Sequence, residues 1–500
     1  MQNFTVQVRI LASADDAAFA KSLSDRLECI LHPIVAFCLE FLRLPVTPIR
    51  ALTAERELFR FVRDVGRVLL EFLIQNSEPE DADLLPPRVK LGVFEYRRRR
   101  RTHLPLSTIF GVVHIQRFLY ESIPSGDPSI FPLDRAWGVG VGGVSTLLTE
   151  RIVRLANDHA QRDVLRILRD DYGVPMSVKR LRKVFASTAE RVQPLVFPSR
   201  VDQILALLTE ANASQGKHRI TLSVGRDGCS IPIRFEGYKV AAVATISAFN
   251  RKGKRVGTVY LAQMPQEHQA NLTRELNAVL RGVLIGWKGP LPRLVYITDS
   301  GKQETTYWSQ LRCQRHPLTG KKLEWERIAD FYHTCQYISK LSAVLFDDEK
   351  QGRKWFRKMR HWLRDEPNGA RRVIHSAAAL LTNREPLTSK ARKEYETGVR
   401  YLSKRLRFLN YADYRKRGLP IGSGVTEAAC KTVFTQRFKR SGMKWSREGG
   451  HPILQLRTLV LSGIWPKTFE AALLQEELDI IVFSTATKPT HRQNNLQNAA

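Results

Sequence analysis

This 500-residue chain has no closely paired cysteines. Its six cysteines, Cys29, Cys38, Cys229, Cys313, Cys335 and Cys430, form no CxxC motif. Zinc ribbons and dithiol redox centres are therefore not expected, and a disulfide framework does not suit the spacing. The cysteines are read as packing residues. Long apolar runs are also missing. No stretch of about 18 apolar residues occurs, and the most apolar segment, Ile30 to Val46, is broken by His32, Glu40 and Arg43. The opening MQNFTVQVRILASADD lacks the pattern of a secretory signal. A cytoplasmic protein with no membrane partner is the expectation. Acidic residues are in short supply: 49 Asp and Glu stand against 79 Lys and Arg, a net charge of +30. Such an excess is unnecessary for solubility. It points to nucleic acid, because cations displace counterions condensed on phosphates.

The length implies several domains. Residues 1–80 read as a helical region, with Leu58, Val62, Val65, Leu69 and Phe72 at helical spacing. An acidic, proline-bearing stretch, SEPEDADLLPPR, follows as a linker. Residues 88–135 read as a basic β-hairpin. Arg97, Arg98, Arg99, Arg100 and Arg101 precede LSTIFGVVHIQRFLY, which turns around Gly111. These arginines are candidate phosphate contacts. Residues 141–196 resemble a helix-turn-helix. Helices are expected near 146–157 and 160–172, then a turn at Gly173, an N-cap at Ser177 and a third helix to Val192. Lys179, Arg180, Arg182 and Lys183 near that helix start are candidate DNA contacts.

At residue 218 the texture changes. Three β-type segments, HRITLSVGRDG, VAAVATISAFN and RVGTVYLAQMP, are joined by short turns. A helix and the buried strand RLVYITD follow, then the helices ETTYWSQL and FYHTCQYISKLSAVLF. The first three strands suit an antiparallel meander, and the fourth suits a parallel return beside the first. The expected fold is α/β. An RNase H-like mixed-sheet core spans residues 216–347 and 415–465, with a basic helical insertion at 348–414. Residues 351–447 hold 25 Lys and Arg against 7 Asp and Glu. Residues 486–500 read as a disordered tail.

Within this outline three acids stand out. Asp227 closes the first strand, Asp299 closes the fourth, and Glu427 opens a late helix. Taken singly, each has an ordinary reading as a turn, cap or helix-dipole residue. Together they could meet at one end of the sheet and hold two Mg²⁺ or Mn²⁺ ions about 3.5–4 Å apart, which can stabilise the attacking and leaving oxygens of a phosphodiester. Val425, Ala428, Ala429, Thr432, Val433 and Gln436 are expected to face inward on the Glu427 helix. Lys431, Arg437, Lys439 and Arg440 on the same segment are candidate DNA contacts. Trp325 and Trp445 are read as core residues.

The run GSGVTEAACKTVFTQRFKRSGMKWS resembles the C-terminal signature of bacterial DDE-type insertion-sequence transposases, in particular the ISKra-type group. GRDG around Asp227, YITDSG around Asp299, the Asp330-Phe-Tyr-His333 element and the arginine-rich hairpin extend the resemblance over roughly residues 88 to 465. The resemblance implies that Asp227, Asp299 and Glu427 are the catalytic, metal-binding triad, supported by Asp330 and His333. It implies a bacterial, nucleoid-associated transposase that binds double-stranded element ends and target DNA as a homodimer or higher assembly. Two rival readings share these features: a catalytically inactive DNA-binding descendant, and a metal-dependent nuclease that cleaves without joining.

Overall fold

A computed structural model describes residues 16–123, 128–299, 301–382, 386–477 and 480–482. The expected tail at 486–500 lies outside the described residues. The chain is mixed α/β and divides into two compact units. Described residues up to Thr188, with those from Phe469 on, form one unit. Ala189–Thr468 forms the other. Among the described residues, no helix is long and apolar enough to cross a membrane.

The first unit opens with helices α1 (Ala17–Leu42) and α2 (Pro48–Gln75). Pro48 at the first position of α2 and the Thr47 hydroxyl accepting from Arg50 N set that helix start. Strands β1 (Arg88–Leu91), β2 (Phe94–Thr108) and β3 (Gly111–Ile123) form an antiparallel sheet with the short strand Ile480–Val482 beside β1. The expected hairpin is present, and its two-residue turn closes at Gly111, whose φ of 110° disfavours any side chain. Arg98 opposes Tyr120 while Arg101 opposes Phe118, so the arginine run contains a bulge. Then come α3 (Pro132–Ala136), α4 (Thr146–Asp158), α5 (Gln161–Tyr172) and the first turns of α6 (Val178–Ala213), whose residues from Ala189 on belong to the second unit. Gly173 ends α5 in the left-handed conformation and Ser177 accepts from Arg180 N, both as expected. The third helix does not stop near Val192. It runs through Pro194 and Pro198 to Ala213. Val201, Ile204, Leu208 and Ala211 on its later turns are buried. Their burial offsets a cost of about 3 kcal/mol for each interior proline.

The second unit is built on a five-stranded sheet ordered β6-β5-β4-β7-β8. Strands β4 (Thr221–Ile233), β5 (Gly237–Phe249) and β6 (Arg255–Gln263) form the expected antiparallel meander. Helix α7 (Ala270–Gly286) crosses over to β7 (Arg293–Thr298), which lies parallel to β4. Helix α8 (Lys302–Leu311) leads to β8 (Trp325–Ala329), parallel to β7. Strand β8 is not foreseen in the sequence reading. Its five residues, WERIA, are too few to show a period.

The sheet is covered on both faces. Leu222, Val224, Leu294 and Tyr296 point to one side and pack with α7, α8 and the later turns of α6. Val295, Ile297 and Ile328 point to the other. There they share one core with α9 (Phe331–Leu345), α10 (Glu349–Asp365), α11 (Gly369–Thr382), α12 (Ser389–Arg405) and α13 (Tyr411–Lys416). The segment expected as an insertion at 348–414 is thus continuous with the core of the sheet. Its basic side chains line the outer faces of helices whose inner faces are apolar, with Trp355, Met359 and Leu363 buried in α10.

Candidate active site

The site begins with strand register. The parallel ladder pairs Gly225 of β4 with Ile297 of β7. Asp227 and Asp299 lie two residues further along, so they occupy one extended rung and point to one face. Strand β4 does not end at Asp227, as the sequence reading expects. It continues to Ile233 because β5 keeps pairing with it as far as Gly237. What ends near Asp227 is the parallel pairing with β7. The β7–β8 ladder pairs Thr298 with Ala329, which carries Asp330 onto the rung of Asp299.

Glu427 reaches this edge through a close helix-to-sheet approach. It sits in α14 (Gly424–Ala429), which passes through a π-helical turn at Cys430–Thr435 into α15 (Gln436–Phe438). Thr426 Oγ1 is 2.7 Å from Thr245 Oγ1 on β5. A Cβ at Gly225 would stand only 2.0 Å from that same hydroxyl. Glycine two residues before Asp227 therefore lets the helix settle on the sheet. Buried residues of the segment are Thr426, Ala429, Val433, Phe434, Arg437 and Phe438. The expected inward stripe holds at Ala429 and Val433, is only half-buried at Val425 and Thr432, fails at Ala428, which is exposed, and moves one residue on at its end, from Gln436 to Arg437. The π turn inserts one extra residue into the helical period. Glu427 stays off the stripe and is exposed.

Neutral donors hold the acids. Asp227 Oδ1 accepts from Gly228 N at 2.7 Å, and Oδ2 accepts from the Cys430 thiol at 3.2 Å. Asp299 Oδ1 accepts from Gly301 N at 3.0 Å. Ser423 Oγ lies 3.0 Å from Glu427 Oε1 and 2.9 Å from Asp330 Oδ2. One hydroxyl proton serves only one of them at a time. Asp330 is fully buried and also accepts from the backbone amides of Ser423 and His333. It caps α9 and anchors the loop that carries Glu427. The His333 ring packs edge-on against Tyr337 and Tyr401, and the His333 backbone amide donates to the Asp330 carboxylate.

Burial raises the Asp227 carboxyl above the usual range. The Cys430 thiol and the Gly228 amide oppose that rise, and the charges of Asp299 and Glu427 add to it. Glu304 in the first turn of α8 is a fourth carboxylate, absent from the sequence reading. It is buried and its carboxyl is raised, chiefly by burial, with Asp299 and Asp227 adding to the rise. Its only sequence signal is an acid at the start of the helix after Asp299. Among the described residues, none of Asp227, Asp299, Glu304 and Glu427 takes part in an ion pair. Nor do any three His, Cys, Asp or Glu side chains there form a ready-made metal cage. The donor chemistry nonetheless fits a hard divalent ion, since Asp227, Asp299 and Glu427 offer carboxylate oxygens that no Lys or Arg neutralises.

The candidate DNA contacts divide by exposure. Arg97, Arg100, Lys179, Lys183, Lys431 and Lys439 are exposed. Arg99 pairs with Glu121 at 2.7 Å, and Arg101 lies 3.7 Å from Glu80. Arg98 donates to the Ala82 and Leu85 carbonyls. Arg182 donates to Gln161, and Arg440 donates to the Gln436 carbonyl at 2.7 Å. Arg180 is tied down by bonds to Gly142 O, Gly143 O and Ser107 Oγ at 2.9–3.0 Å. Arg437 is fully buried, its guanidinium 5.1 Å from the Trp445 ring centre, and cannot meet a phosphate. Trp325 and Trp445 are both buried, as expected. Trp445 N donates to Pro232 O, and Trp445 O accepts from Arg234 N, which docks the GMKW element on the end of β4.

Neither a scan against protein-family models nor a search of curated proteins returns a match for this chain.

Proposed function

We propose that this protein is a DNA transposase whose second unit is an RNase H-like catalytic core. What supports this reading is that Asp227 and Asp299 lie at matching positions beyond the β4–β7 ladder, and that the charges of Asp299 and Glu427 both act on Asp227. The resemblance of residues 422–446 to an insertion-sequence signature supplies the reaction class. Mg²⁺ or Mn²⁺, held by Asp227, Asp299 and Glu427, would stabilise charge on the attacking and leaving oxygens of a phosphodiester. The chain's own task is to keep these acids oriented and unpaired with Lys or Arg side chains. Gly228 N, Gly301 N and Ser423 Oγ each bond one of them without neutralising it. The reaction is hydrolysis at the element end, followed by attack of the freed 3′-hydroxyl on a target phosphodiester. In each step one P–O bond forms and one breaks.

The test uses purified full-length protein, duplexes carrying the element ends, and Mg²⁺ or Mn²⁺. Cleavage at the 3′ ends and joining to a second duplex are expected, with both lost in chelator. Cleavage without joining would make the protein a nuclease. Binding without either reaction would leave it a DNA-binding protein.

Exposure ranks the cations. Replacing Arg97 and Arg100, or Lys179 and Lys183, with alanine should weaken binding alike for all DNA sequences. The slope of log affinity against log salt should become shallower by about 0.9 for each phosphate no longer neutralised. Arg180→Ala should instead lower the melting temperature, because it leaves Gly142 O and Ser107 Oγ without this donor and removes one of the two donors to Gly143 O. Equal salt slopes in all these variants would rule out the assignment.

A further inference from the structure

We propose that Cys430 is a positioning residue, whose thiol orients the Asp227 carboxylate toward the divalent ion. This rests on the function proposed above. Cys430 lies three residues after Glu427, at the first position of the π-helical turn. Its Sγ is 3.2 Å from Asp227 Oδ2, while Gly228 N holds Oδ1. Each oxygen of Asp227 therefore has one donor, and the plane of the carboxylate is fixed from two sides. The same side chain packs at the edge of a buried cluster that includes Val433, Phe434 and Ile231. Those neighbours fix where the sulfur sits. The bond joins the Glu427 helix directly to the Asp227 strand, so it sets the spacing of two of the three acids.

The choice of a thiol has a chemical reason. Lys or Arg at this place would neutralise Asp227 and compete with the ion. A thiol is a weak, neutral donor that orients a carboxylate and leaves its charge intact.

Serine and alanine separate the hydrogen bond from the packing. Both remove the sulfur from the apolar cluster, but only serine keeps a donor. Binding of Mn²⁺ to the full-length protein, read from the electron paramagnetic resonance of the free ion, needs no turnover. Cys430→Ala should weaken that binding about 10-fold, the scale on which loss of a ligand's supporting bond acts. Cys430→Ser should restore most of the affinity while melting close to Cys430→Ala. Asp227→Asn serves as the control. If Asp227→Asn weakens binding but Cys430→Ala binds as the wild type does, the role given to Cys430 is wrong. The same holds if serine is as weak as alanine. If Asp227→Asn itself leaves Mn²⁺ binding unchanged, the proposed function fails, and the role of Cys430 fails with it.

Discussion

Asp227→Asn and Glu427→Gln should each reduce DNA-end cleavage by about a thousandfold or more, while leaving DNA affinity within about twofold. The magnitude follows from removing one carboxylate of three from an ion that stabilises transition-state charge. A loss of roughly 4 kcal/mol corresponds to three decades in rate. Affinity should hold because, on the proposed function, neither acid would contact phosphate except through the ion. Stability supplies a second readout. The Asp227 carboxyl is raised by burial and by two like charges. Between the unfolded and folded titration points the folded chain therefore holds more protons than the unfolded one, and stability falls as pH rises through that window. The penalty is absent at pH values below the ordinary Asp range, and it is fully present above the folded value. Asp227→Asn removes it, so the variant should melt about 1–3 °C above the wild type at neutral pH, with no advantage in acid. A variant that is inactive and melts lower would indicate a damaged fold. Undiminished cleavage would rule out the site.

That penalty bears on what could be read in the sequence. Asp227, Asp299 and Glu427 were visible as acids at the ends of β-type and helical segments. The three-strand meander and the parallel return were also visible, because Ile220, Leu222 and Val224 alternate in the first segment and the others are short apolar runs bounded by turns. Strand β8 was not, since five residues carry no period. The continuation of β4 past Asp227 was hidden as well. Gly228, Ser230 and Pro232 look like the end of a strand, and only pairing with β5 keeps them extended. The run of α6 through two prolines was missed for the opposite reason. A local breaker was overruled by tertiary burial. Contacts between distant segments were beyond any pattern in the chain. Glu304, the thiol bond from Cys430 to Asp227 and the Asp330–Ser423–Glu427 link each join residues whose meeting depends on the fold. Charge had a similar limit. The basic character of the chain was plain, but which arginines are free to meet DNA was not. Arg180 and Arg437 lie beside Lys179 and Lys439 in basic runs, and folding alone buries or ties down the two arginines while leaving the lysines exposed.

Gly225→Ala should cost about 100-fold in cleavage, although residue 225 has no functional group. A Cβ there would lie 2.0 Å from Thr426 Oγ1 and 3.1 Å from Thr245 Oγ1. Neither hydroxyl can step aside freely, because the two are bonded to each other in a buried space. The β-strand itself would accept alanine without difficulty. The strain therefore passes to the helix, which must lift from the sheet and carry Glu427 with it. Overpacking of this kind costs about 1–3 kcal/mol in stability. An ångström of misplacement at a catalytic group costs about 100-fold in rate. Thr426→Ala in the same chain removes the hydroxyl that collides. The double variant should recover part of both losses, with a coupling of about 1 kcal/mol or more between the two positions. Thr426→Ala alone should be mild, since it deletes a hydroxyl bonded to Thr245 without moving the backbone. If the losses from the two single changes simply add, Thr426 is not what Gly225 makes room for, and another cause must be found for the approach of Glu427 to Asp227.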